Sequence, residues 1–491
     1  MTIQPDPTSV KTHFQGNDKL LFGMIMGVIA FWLFAQTTLN IAPDMEQDLG
    51  VNTSIMNIAV SITALFSGMF IVVMGGLADR IGCLKILNLG FLLSIIGALL
   101  IALAPSGDLA VPLLMLGRII QGISAACIMP SSLALVKAYW EGEARQRAIS
   151  MWSIGSWGGS GLCALFGGLV SQNLGWRYIF FACAALSLLG YVMCRGTPEF
   201  KMEDDGKKHK FDWGGVVTFM IAMIALQVLV TQGGDFGWTS MTTIGLLLVT
   251  FVSIVLFLWI EERADKAFVD FSLFKNATYT GATISNFLLN GVAGMLIVSL
   301  QLVQLGGNMT AQSAGLLTIG YAIAIIAFIR VGEKLLQRFG ARTPMIWGCL
   351  ITGFSIALLL PTNMMLDQYK IIVVISYILF GIGLAFYATP STDAALSNLP
   401  PEQAGAGSGL YKMASSLGAA FGVAISAAIF TALRAENASV SWLNNIVPFV
   451  GRQDNIAIRE AATIALMFNL LMILGAIVSI MLTVPTGKKS S

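Results

Sequence analysis

Two stretches decide the fold: GGLADRIGCLK at 75–85 and GEKLLQRFGAR at 332–342. Each follows an apolar run, places an arginine two residues before a glycine, and ends on a basic residue. A short basic loop between apolar runs is typical of a chain that turns back at the inner surface of a membrane. Because the pattern occurs twice, it predicts an internal repeat.

Further landmarks follow the two loops at matching distances. Pro130 lies 48 residues after Gly82, and Pro390 lies 50 residues after Gly340. Glycine-rich runs follow these prolines at a spacing of 29 and 28 residues. The repeated order predicts two related halves. Repeats of this kind build transporters whose substrate site lies between the halves, near the middle of the membrane.

The composition is far too apolar for a soluble protein. Of the 491 residues, 56% are hydrophobic and 11% are charged, whereas soluble domains carry about 25% charged residues. The net charge of +2 gives no basic face for nucleic acid. No Walker A loop and no metal-binding cluster is visible, so we expect neither a cofactor nor a metal, and not an enzyme. The expected fold class is an all-α protein in the lipid bilayer.

A membrane-spanning helix needs about 20 apolar residues, and roughly fourteen runs qualify. We number them spans 1 to 14 in chain order: 20–43, 54–76, 86–105, 111–137, 148–170, 177–195, 214–232, 240–260, 279–304, 312–334, 344–361, 371–393, 405–433 and 461–484.

The repeat divides these spans into two six-helix halves with two extra spans between them. The predicted units are a cytoplasmic segment at 1–19, the N-terminal half at 20–195, a linker at 196–213, the extra spans at 214–260, a cytoplasmic loop at 261–278, the C-terminal half at 279–484 and a cytoplasmic tail at 485–491.

Basic residues predict the orientation. With the N-terminus inside, the inner loops and ends hold about 22 of the 28 lysines and arginines, and the outer ones hold five. The excess of basic residues on one side marks the cytoplasmic side. We therefore expect a multi-pass protein of the inner (cytoplasmic) membrane with both termini in the cytoplasm. Arg118 is left within a span.

Several motifs resemble the major facilitator superfamily. They are the 75–85 loop, LGRIIQGISAA at 116–126 and the glycine-rich span 5. The extra central pair resembles the 14-helix drug:proton antiporter branch of that family. Sequence segments such as FWLFAQTTLNIAP, WSIGSWGGSG and YATPSTDAAL resemble those of quinolone exporters of the NorB type. The resemblance covers nearly the whole chain.

The resemblance implies a major facilitator fold whose halves expose a central cavity to each side in turn. It implies a monomeric, proton-coupled exporter of lipophilic, cationic or zwitterionic drugs, such as quinolones, quaternary ammonium compounds and dyes. A carrier of an endogenous lipid, metabolite or osmolyte remains open, and its loss would leave drug sensitivity unchanged. A membrane-embedded enzyme or sensor would need acids and histidines clustered on facing spans, and none is visible.

Arg118 is the main candidate for proton coupling. It lies about seven residues into span 4, where a charge costs roughly 2.5–3.5 kcal/mol or more. The resemblance implies a role in proton coupling, and the alternative is a structural arginine bonded to backbone carbonyls. Ala35 stands where the branch commonly has an aspartate. The remaining candidate acids are Asp393, Glu333 and Asp44.

Aromatic and amide side chains within the spans are the expected lining of the substrate cavity. Aromatic faces suit cationic drugs, and uncharged polar groups in apolar runs need partners. The alternative for each aromatic residue is ordinary packing or contact with lipid. The candidates are Trp32, Gln36, Asn40, Gln121, Trp157, Asn286, Asn290, Gln301, Tyr387 and Tyr411.

The resemblance implies that the 75–85 loop latches the two halves in the outward-open state through charge contacts. The alternative is an ordinary solvated loop. Cys83 stands where the family usually has an arginine, so a weaker latch is expected. The candidate latch residues are Gly75, Asp79, Arg80, Gly82, Lys85 and Arg338.

Small residues recur at every fourth position of span 5, and span 13 repeats the stripe. Such stripes let helices approach closely. The family's antiporter motif normally has Gly-Pro here, where Cys163 and Ala164 stand, and ordinary helix packing is the alternative role. The stripe residues are Gly155, Gly159, Cys163, Gly167, Gly168, Gly418 and Gly422.

Overall fold

The computed structural model describes most of the chain. The described residues are 14–51, 53–200, 212–237, 239–263, 271–309, 311–364, 366–399, 403–435 and 455–486. They are helical almost throughout and include no strand. Parts of the predicted terminal segments, the linker and the 261–278 loop lie outside the described residues.

Spans 1 to 6 all lie on helices, and two of them are interrupted by a π-helix. Span 1 consists of Asp18–Ile29, the π-helix Ala30–Ala35 and Thr38–Leu49; spans 2, 3 and 4 are Thr53–Ile81, Cys83–Ala102 and Ala110–Tyr139; span 5 consists of Gly142–Ser153, the π-helix Ile154–Gly158 and Gly159–Leu174; span 6 is Arg177–Cys194.

The remaining spans also lie on helices. Spans 7 and 8 are Trp213–Phe236 and Met241–Glu261; after a short 3₁₀ turn, Phe271–Lys275, span 9 consists of Ala277–Gly291, Gly294–Gln301 and the π-helix Leu302–Gly306; span 10 consists of Ala311–Leu316 and Ile319–Phe339; spans 11 to 14 are Arg342–Leu359, Leu366–Ser397, Ala404–Ala435 and Ile456–Thr483.

Twelve described helices are long and apolar enough to cross a membrane. Span 5 is not among them, and the apolar part of span 7, Trp213–Leu226, is short. Since both lie on helices between recognised spans, the structure is compatible with fourteen crossings, and that number stays a prediction. Large apolar side chains such as Phe251 and Leu471 are exposed on the outside of the bundle, as a lipid-facing surface requires.

The internal repeat is visible in how helices pack within each half. In the N-terminal half, Gly159 of span 5 lies against the backbone of Trp32 and Leu33 in span 1. In the C-terminal half, Gly418 of span 13 lies against the backbone of Phe287 in span 9. Glycine permits both approaches because a Cβ atom would meet the partner helix.

The outer ends of the halves carry a matching pair of arginine contacts. Arg177, which begins span 6, donates to the carbonyl of Ala104 over 2.9 Å. Arg459, near the start of span 14, donates to the carbonyls of Thr362 and Met364 over 2.7 and 2.8 Å. In each half, the last helix thus holds the loop that joins the third and fourth helices.

The two halves meet along two pairs of helices. Span 2 packs along span 13, and span 5 packs against span 10. The repeat relates span 2 to span 10 and span 5 to span 13, so the two pairs are equivalent. Side chains from both halves join one continuous apolar core. This interface is where a site shared by the halves would lie.

Candidate functional site

The first contact across the halves joins Asp79 to the start of span 13. The Asp79 carboxylate accepts hydrogen bonds from the backbone N–H of Gly405 over 2.7 Å and of Ala406 over 2.8 Å. The first N–H groups of a helix lack partners within the helix, and their partial positive charge favours an anion. Asp79 therefore caps a helix of the opposite half.

Gly75 makes the close approach at this contact possible. A Cβ atom on Gly75 would overlap the backbone carbonyl of Gly405, and a Cβ on Gly405 would overlap that of Gly75. One turn further along span 13, the Ser408 hydroxyl donates to the Pro130 carbonyl of span 4 over 3.1 Å. Spans 2, 4 and 13 are thus in direct contact at the end of the bundle that carries the 75–85 loop.

A second set of contacts closes the same end and joins Lys137 of span 4 and Arg145 of span 5 to span 12. Arg145 Nε lies 3.2 Å from Asp393 Oδ1, and Arg145 Nη2 donates to the Ser397 hydroxyl over 2.8 Å. Lys137 Nζ lies 2.5 Å from the carbonyl oxygen of Leu396. A cation near the C-terminus of a helix interacts favourably with its exposed carbonyls. Charge contacts therefore join the halves on both sides of the interface.

The loop 75–85 is also bound by the residues that follow span 6. Glu199 accepts hydrogen bonds from the backbone N–H of Leu84 and Lys85 over 2.8 and 3.0 Å. The N–H of Cys83 donates to the Phe200 carbonyl over 3.0 Å. The Cys83 side chain is fully buried, so a longer charged side chain there would require rearrangement. Gly82, with a φ of +129°, makes the turn into span 3.

Three other candidate latch residues lie on the helices that flank this loop or the corresponding loop at 332–342. Lys85 and Arg338 are exposed, and Arg80 is half-buried. The guanidinium of Arg338 lies 5.2 Å from the centre of the Phe339 ring. Among the six candidates, Gly75 and Asp79 make the contacts between the halves that are described above.

Arg118 is completely buried and is held by oxygen atoms of three helices. Its Nε donates to the carbonyl of Ala59, and its Nη1 donates to the Ala35 carbonyl and to Gln121 Oε1, over 2.9, 2.8 and 2.9 Å. These contacts are the ones expected of a structural arginine that is bonded to backbone carbonyls. The role of Arg118 in proton coupling stays a prediction. The guanidinium thus contacts span 1 at Ala35, the position at which the 14-helix drug:proton antiporter branch commonly has an aspartate.

The π-helix in span 1 explains why the Ala35 carbonyl is available. A π turn shifts the backbone hydrogen bonds by one residue and leaves a carbonyl without its usual partner. Ala35 ends the π-helix Ala30–Ala35, and its oxygen also accepts from the Thr38 hydroxyl over 3.0 Å. The π-helix of span 5 packs against this segment. The interruption of span 1 therefore lies beside the buried cation.

The candidate proton-carrying acids lie at opposite ends of the bundle. The exposed Asp44 accepts a short hydrogen bond from Ser171 at the outer end. Glu333 is buried near the end of span 10 and is paired with Arg330. Only Asp393 contacts the opposite half through a described ion pair. The structure does not bring these acids together or place one beside Arg118.

The amide candidates of the C-terminal half form a connected polar group. Asn286 Nδ2 donates to the Tyr411 carbonyl over 3.0 Å and to the Ser415 hydroxyl over 2.5 Å. Asn290 Nδ2 donates to Asn286 Oδ1 over 2.9 Å. The Tyr411 hydroxyl continues the group to Ser391, at 2.9 Å. Spans 9, 12 and 13 are therefore joined by hydrogen bonds.

Tyr387 belongs to the same region. It is fully buried, and its hydroxyl lies 2.7 Å from the Ser285 hydroxyl of span 9. Gln301 lies further along span 9 and is half-buried. In the closed arrangement described here, the tyrosines and Asn286 bond to the protein itself, so a ligand would have to compete for those bonds.

The candidates of the N-terminal half are less tightly bonded. Trp32, Gln36 and Trp157 are half-buried, and the side chain of Asn40 lies outside the described residues. Among the residues that the structure describes, Trp32 Nε1 and Gln121 Nε2 are buried donors with no partner. Unpaired buried donors are costly, and a ligand acceptor would satisfy them. Among the predicted cavity residues of this half, these two atoms are the unpaired donors that a substrate could engage.

Sequence reasoning missed Lys412, a buried cation within span 13. Its side chain is buried in span 13, and its Nζ lies 4.4 Å from the centre of the Trp152 ring and 5.7 Å from that of Tyr411. A charge within a membrane costs about 2.5–3.5 kcal/mol, whereas a desolvated cation–π contact contributes about 2 kcal/mol. Lys412 lies inside the predicted apolar run at 405–433 rather than at its start, and this position could have identified it as a buried cation.

The described residues contain no group of three histidine, cysteine or acidic side chains that could hold a metal ion. What the interface and its surroundings offer chemically is a set of hydrogen-bond donors, aromatic faces, the interfacial cation Lys412 and, within the N-terminal half, the buried cation Arg118. This set suits binding and ion pairing, and it includes acids whose protonation would alter contacts between the halves.

Comparison with known proteins agrees with this geometry. Residues 20–423 match the family model of the Major Facilitator Superfamily. The "Quinolone resistance protein NorB" of Staphylococcus aureus strain COL is 47% identical over 473 residues, which cover 96% of this chain and 97% of that protein. The protein of the same name from strain MRSA252 is 49% identical over 418 residues, covering 85% of this chain and 89% of its own length.

Solved structures share the fold at low sequence identity. The proton:xylose symporter XylE, bound to 6-bromo-6-deoxy-D-glucose, is 16% identical, with a TM-score of 0.63 over 96% of both chains. The human organic anion transporter MFSD10 is 11% identical, with a TM-score of 0.57 over 94% of this chain and 98% of that one. The family match covers most of the sequence, and the fold agrees with it. The chain therefore belongs to the Major Facilitator Superfamily.

Proposed function

We propose that this protein is a multidrug efflux antiporter that exports lipophilic, cationic or zwitterionic drugs in exchange for protons. The observation that carries the proposal is the 47% identity to a quinolone resistance protein over 96% of this chain. Similarity of this extent includes both halves, the extra central helices and the interface. Quinolones are therefore the first substrates to test.

Alternating access fits the contacts between the halves. The Asp79 cap on span 13 and the ion pair between Arg145 and Asp393 join the halves at one end. Because the basic loops predict that this end is cytoplasmic, the arrangement corresponds to a state closed toward the cytoplasm. Breaking these contacts would open the interface to drugs from inside. The discrete contacts support a switch between two states rather than a continuous channel.

Asp393 is the acid that we assign to proton coupling. In the closed state its carboxylate is largely buried and is paired with Arg145. A proton bound to this carboxylate would remove its negative charge and weaken the ion pair, so the cytoplasmic end would open. Loss of the proton to the cytoplasm would restore the charge. This order of steps couples proton entry to the return of the empty transporter to the state that is open toward the cytoplasm.

The deciding experiment measures drug uptake into inside-out membrane vesicles, with norfloxacin and ethidium as the drugs. An acidic lumen should drive uptake in the wild type. Asp393→Asn should retain exchange of labelled for unlabelled norfloxacin but lose the response to the pH gradient. Uptake that is identical with and without a gradient would contradict proton coupling. Movement of neither drug would favour a carrier of an endogenous solute.

We also propose that the protein acts as a monomer in the cytoplasmic membrane, with both termini inside. The excess of basic residues in the inner loops supports this orientation. Cysteines introduced in the 196–212 linker and in the C-terminal tail should react with an impermeant reagent only from the cytoplasmic side. Labelling of the two segments from opposite sides would contradict the paired six-helix arrangement.

A further inference from the structure

Lys412 lies between the two halves. It belongs to span 13 of the C-terminal half, and the ring that its ammonium contacts belongs to Trp152 in span 5 of the N-terminal half. Trp152 is fixed within its own half, because its Nε1 donates to the Ser132 hydroxyl over 2.9 Å. The contact between Lys412 and Trp152 is therefore made or broken as the halves close or separate.

The Lys412 ammonium has no anionic partner among the residues that the structure describes. The buried carboxylates at the same end of the interface are engaged elsewhere, since Asp79 caps span 13 and Asp393 is paired with Arg145. The aromatic rings of Trp152 and Tyr411 offset part of the loss of hydration but supply no negative charge. A buried cation in these surroundings is stabilised by an anion that it can contact directly.

We propose that Lys412 binds a carboxylate group of the exported drug. This inference rests on the proposed function and narrows its substrate class to drugs that carry a carboxylate, including zwitterions. An ammonium offers three N–H donors, and hydrogen bonds between charged groups are shorter and stronger than those between neutral ones.

The same charge disfavours cations that lack a carboxylate. Arg118 in the other half is a further buried cation whose described contacts are to neutral groups. A purely cationic drug would bring a further positive charge into this low-dielectric space and be repelled. The expected order of preference is therefore zwitterion or anion before cation.

The location of the contact indicates when the drug would bind. In the closed state the ammonium lies on the Trp152 ring, and its side chain is only 5% exposed. Separation of spans 5 and 13 would remove the ring and expose the ammonium toward the open side. A carboxylate arriving there replaces the ring as the partner. When spans 5 and 13 come together again with the drug bound, the binding site opens to the other side of the membrane.

The test compares norfloxacin with its ethyl ester, which keeps the amine and lacks the carboxylate. Both are measured by binding to the purified protein and by uptake into phosphatidylcholine proteoliposomes. The wild type should bind and transport the acid at least tenfold better than the ester. Lys412→Met should lower kcat/KM for the acid at least tenfold and leave the ester unchanged or improved, while Lys412→Arg should retain most of the preference.

The control is Lys370→Met, which removes an ion-paired lysine near the start of span 12 and should change neither value. Equal binding of acid and ester by the wild type would overturn the proposal, and this arm requires no variant to fold. Equal losses for both compounds in Lys412→Met would also overturn it by indicating a structural role. If norfloxacin and its ester are transported equally well, only the role of Lys412 is refuted. If neither compound is transported, the efflux function is refuted.

Discussion

Arg145 of span 5 and Asp393 of span 12 form an ion pair between the two halves, with 3.2 Å between Nε and Oδ1. Their side chains are 20% and 10% exposed, so water screens the pair only partly. Together with the Asp79 cap, this pair makes closure of the interface dependent on charge. Closure can be followed by labelling Ser408→Cys, since Ser408 is fully buried against Pro130 when the halves are joined.

Arg145→Gln should open the cytoplasmic end. A hydrogen bond to a charged group contributes about 1.5–3 kcal/mol, so we expect a roughly tenfold or greater rise in labelling of Ser408→Cys by an impermeant maleimide. Asp393→Asn should act similarly, and the double variant should add little. Arg147→Gln is the matched control, because Arg147 pairs with Asp18 of its own half on the surface. Equal effects of the two arginine variants would contradict a specific role for the pair.

Asp79 variants should rank by the number of hydrogen bonds that they retain at the start of span 13. Asparagine keeps one acceptor oxygen but no charge, and alanine keeps neither. Loss of a helix cap costs about 0.5–2 kcal/mol, so labelling of Ser408→Cys should rise from wild type to Asp79→Asn to Asp79→Ala. Transport should fall in the same order. Identical labelling of all three proteins would mean that the cap does not control closure.

Gly75 and Gly76 provide a matched pair of neighbours. A Cβ atom on Gly75 would overlap the Gly405 carbonyl, whereas one on Gly76 would meet nothing within 4 Å. Gly75→Ala should therefore separate spans 2 and 13, increase labelling of Ser408→Cys and reduce transport. Gly76→Ala should behave like the wild type in both assays. A reversed ranking would place the closest approach of the halves elsewhere.

A second matched pair tests packing within one half. A Cβ atom on Gly167 would overlap the side chain of Thr37, whose hydroxyl donates to the Cys163 carbonyl over 2.8 Å. A Cβ on Gly168 would meet nothing within 4 Å. Since overpacking costs about 1–3 kcal/mol, Gly167→Ala should lower the melting temperature in detergent and Gly168→Ala should not. Equal melting temperatures would show that spans 1 and 5 can separate without loss.

Arg118→Lys should separate the charge of this residue from its hydrogen bonds. Lysine keeps the positive charge but cannot reproduce the fork that reaches Ala35, Ala59 and Gln121. We expect a lower melting temperature, with pH-driven uptake reduced more than norfloxacin exchange. If uptake and exchange fall by the same factor, the arginine supports the structure and does not take part in coupling.

The sequence predicted the helices and their repeat because long apolar runs in lipid have few alternatives. It also predicted the burial of Arg118, which interrupts an apolar run, whereas the latch role of Asp79 was implied by the family resemblance and stays a prediction. The partners of these residues could not be predicted. Arg118 bonds to carbonyls that depend on the π-helix at Ala30–Ala35, and periodicity does not reveal a π turn.

Lys412 and Glu199 were overlooked for a different reason. Loop counting assigned the lysine to a helix end by its sequence position, although the structure buries its ammonium among aromatic rings. Glu199 lies in a charged linker whose composition indicates only a separation between domains, and it binds residues more than a hundred positions away. Such contacts depend on tertiary packing, which no local pattern encodes.

The binding of Glu199 and Phe200 to residues 83–85 has a consequence for dividing the protein into fragments. A gene cut within 201–211 would leave both residues with the first fragment, which would keep every hydrogen bond around its own turn. A cut before 196 would transfer them to the second fragment, and reassembly would then depend on restoring those bonds between separate chains. The natural place to split the coding sequence is therefore after Phe200.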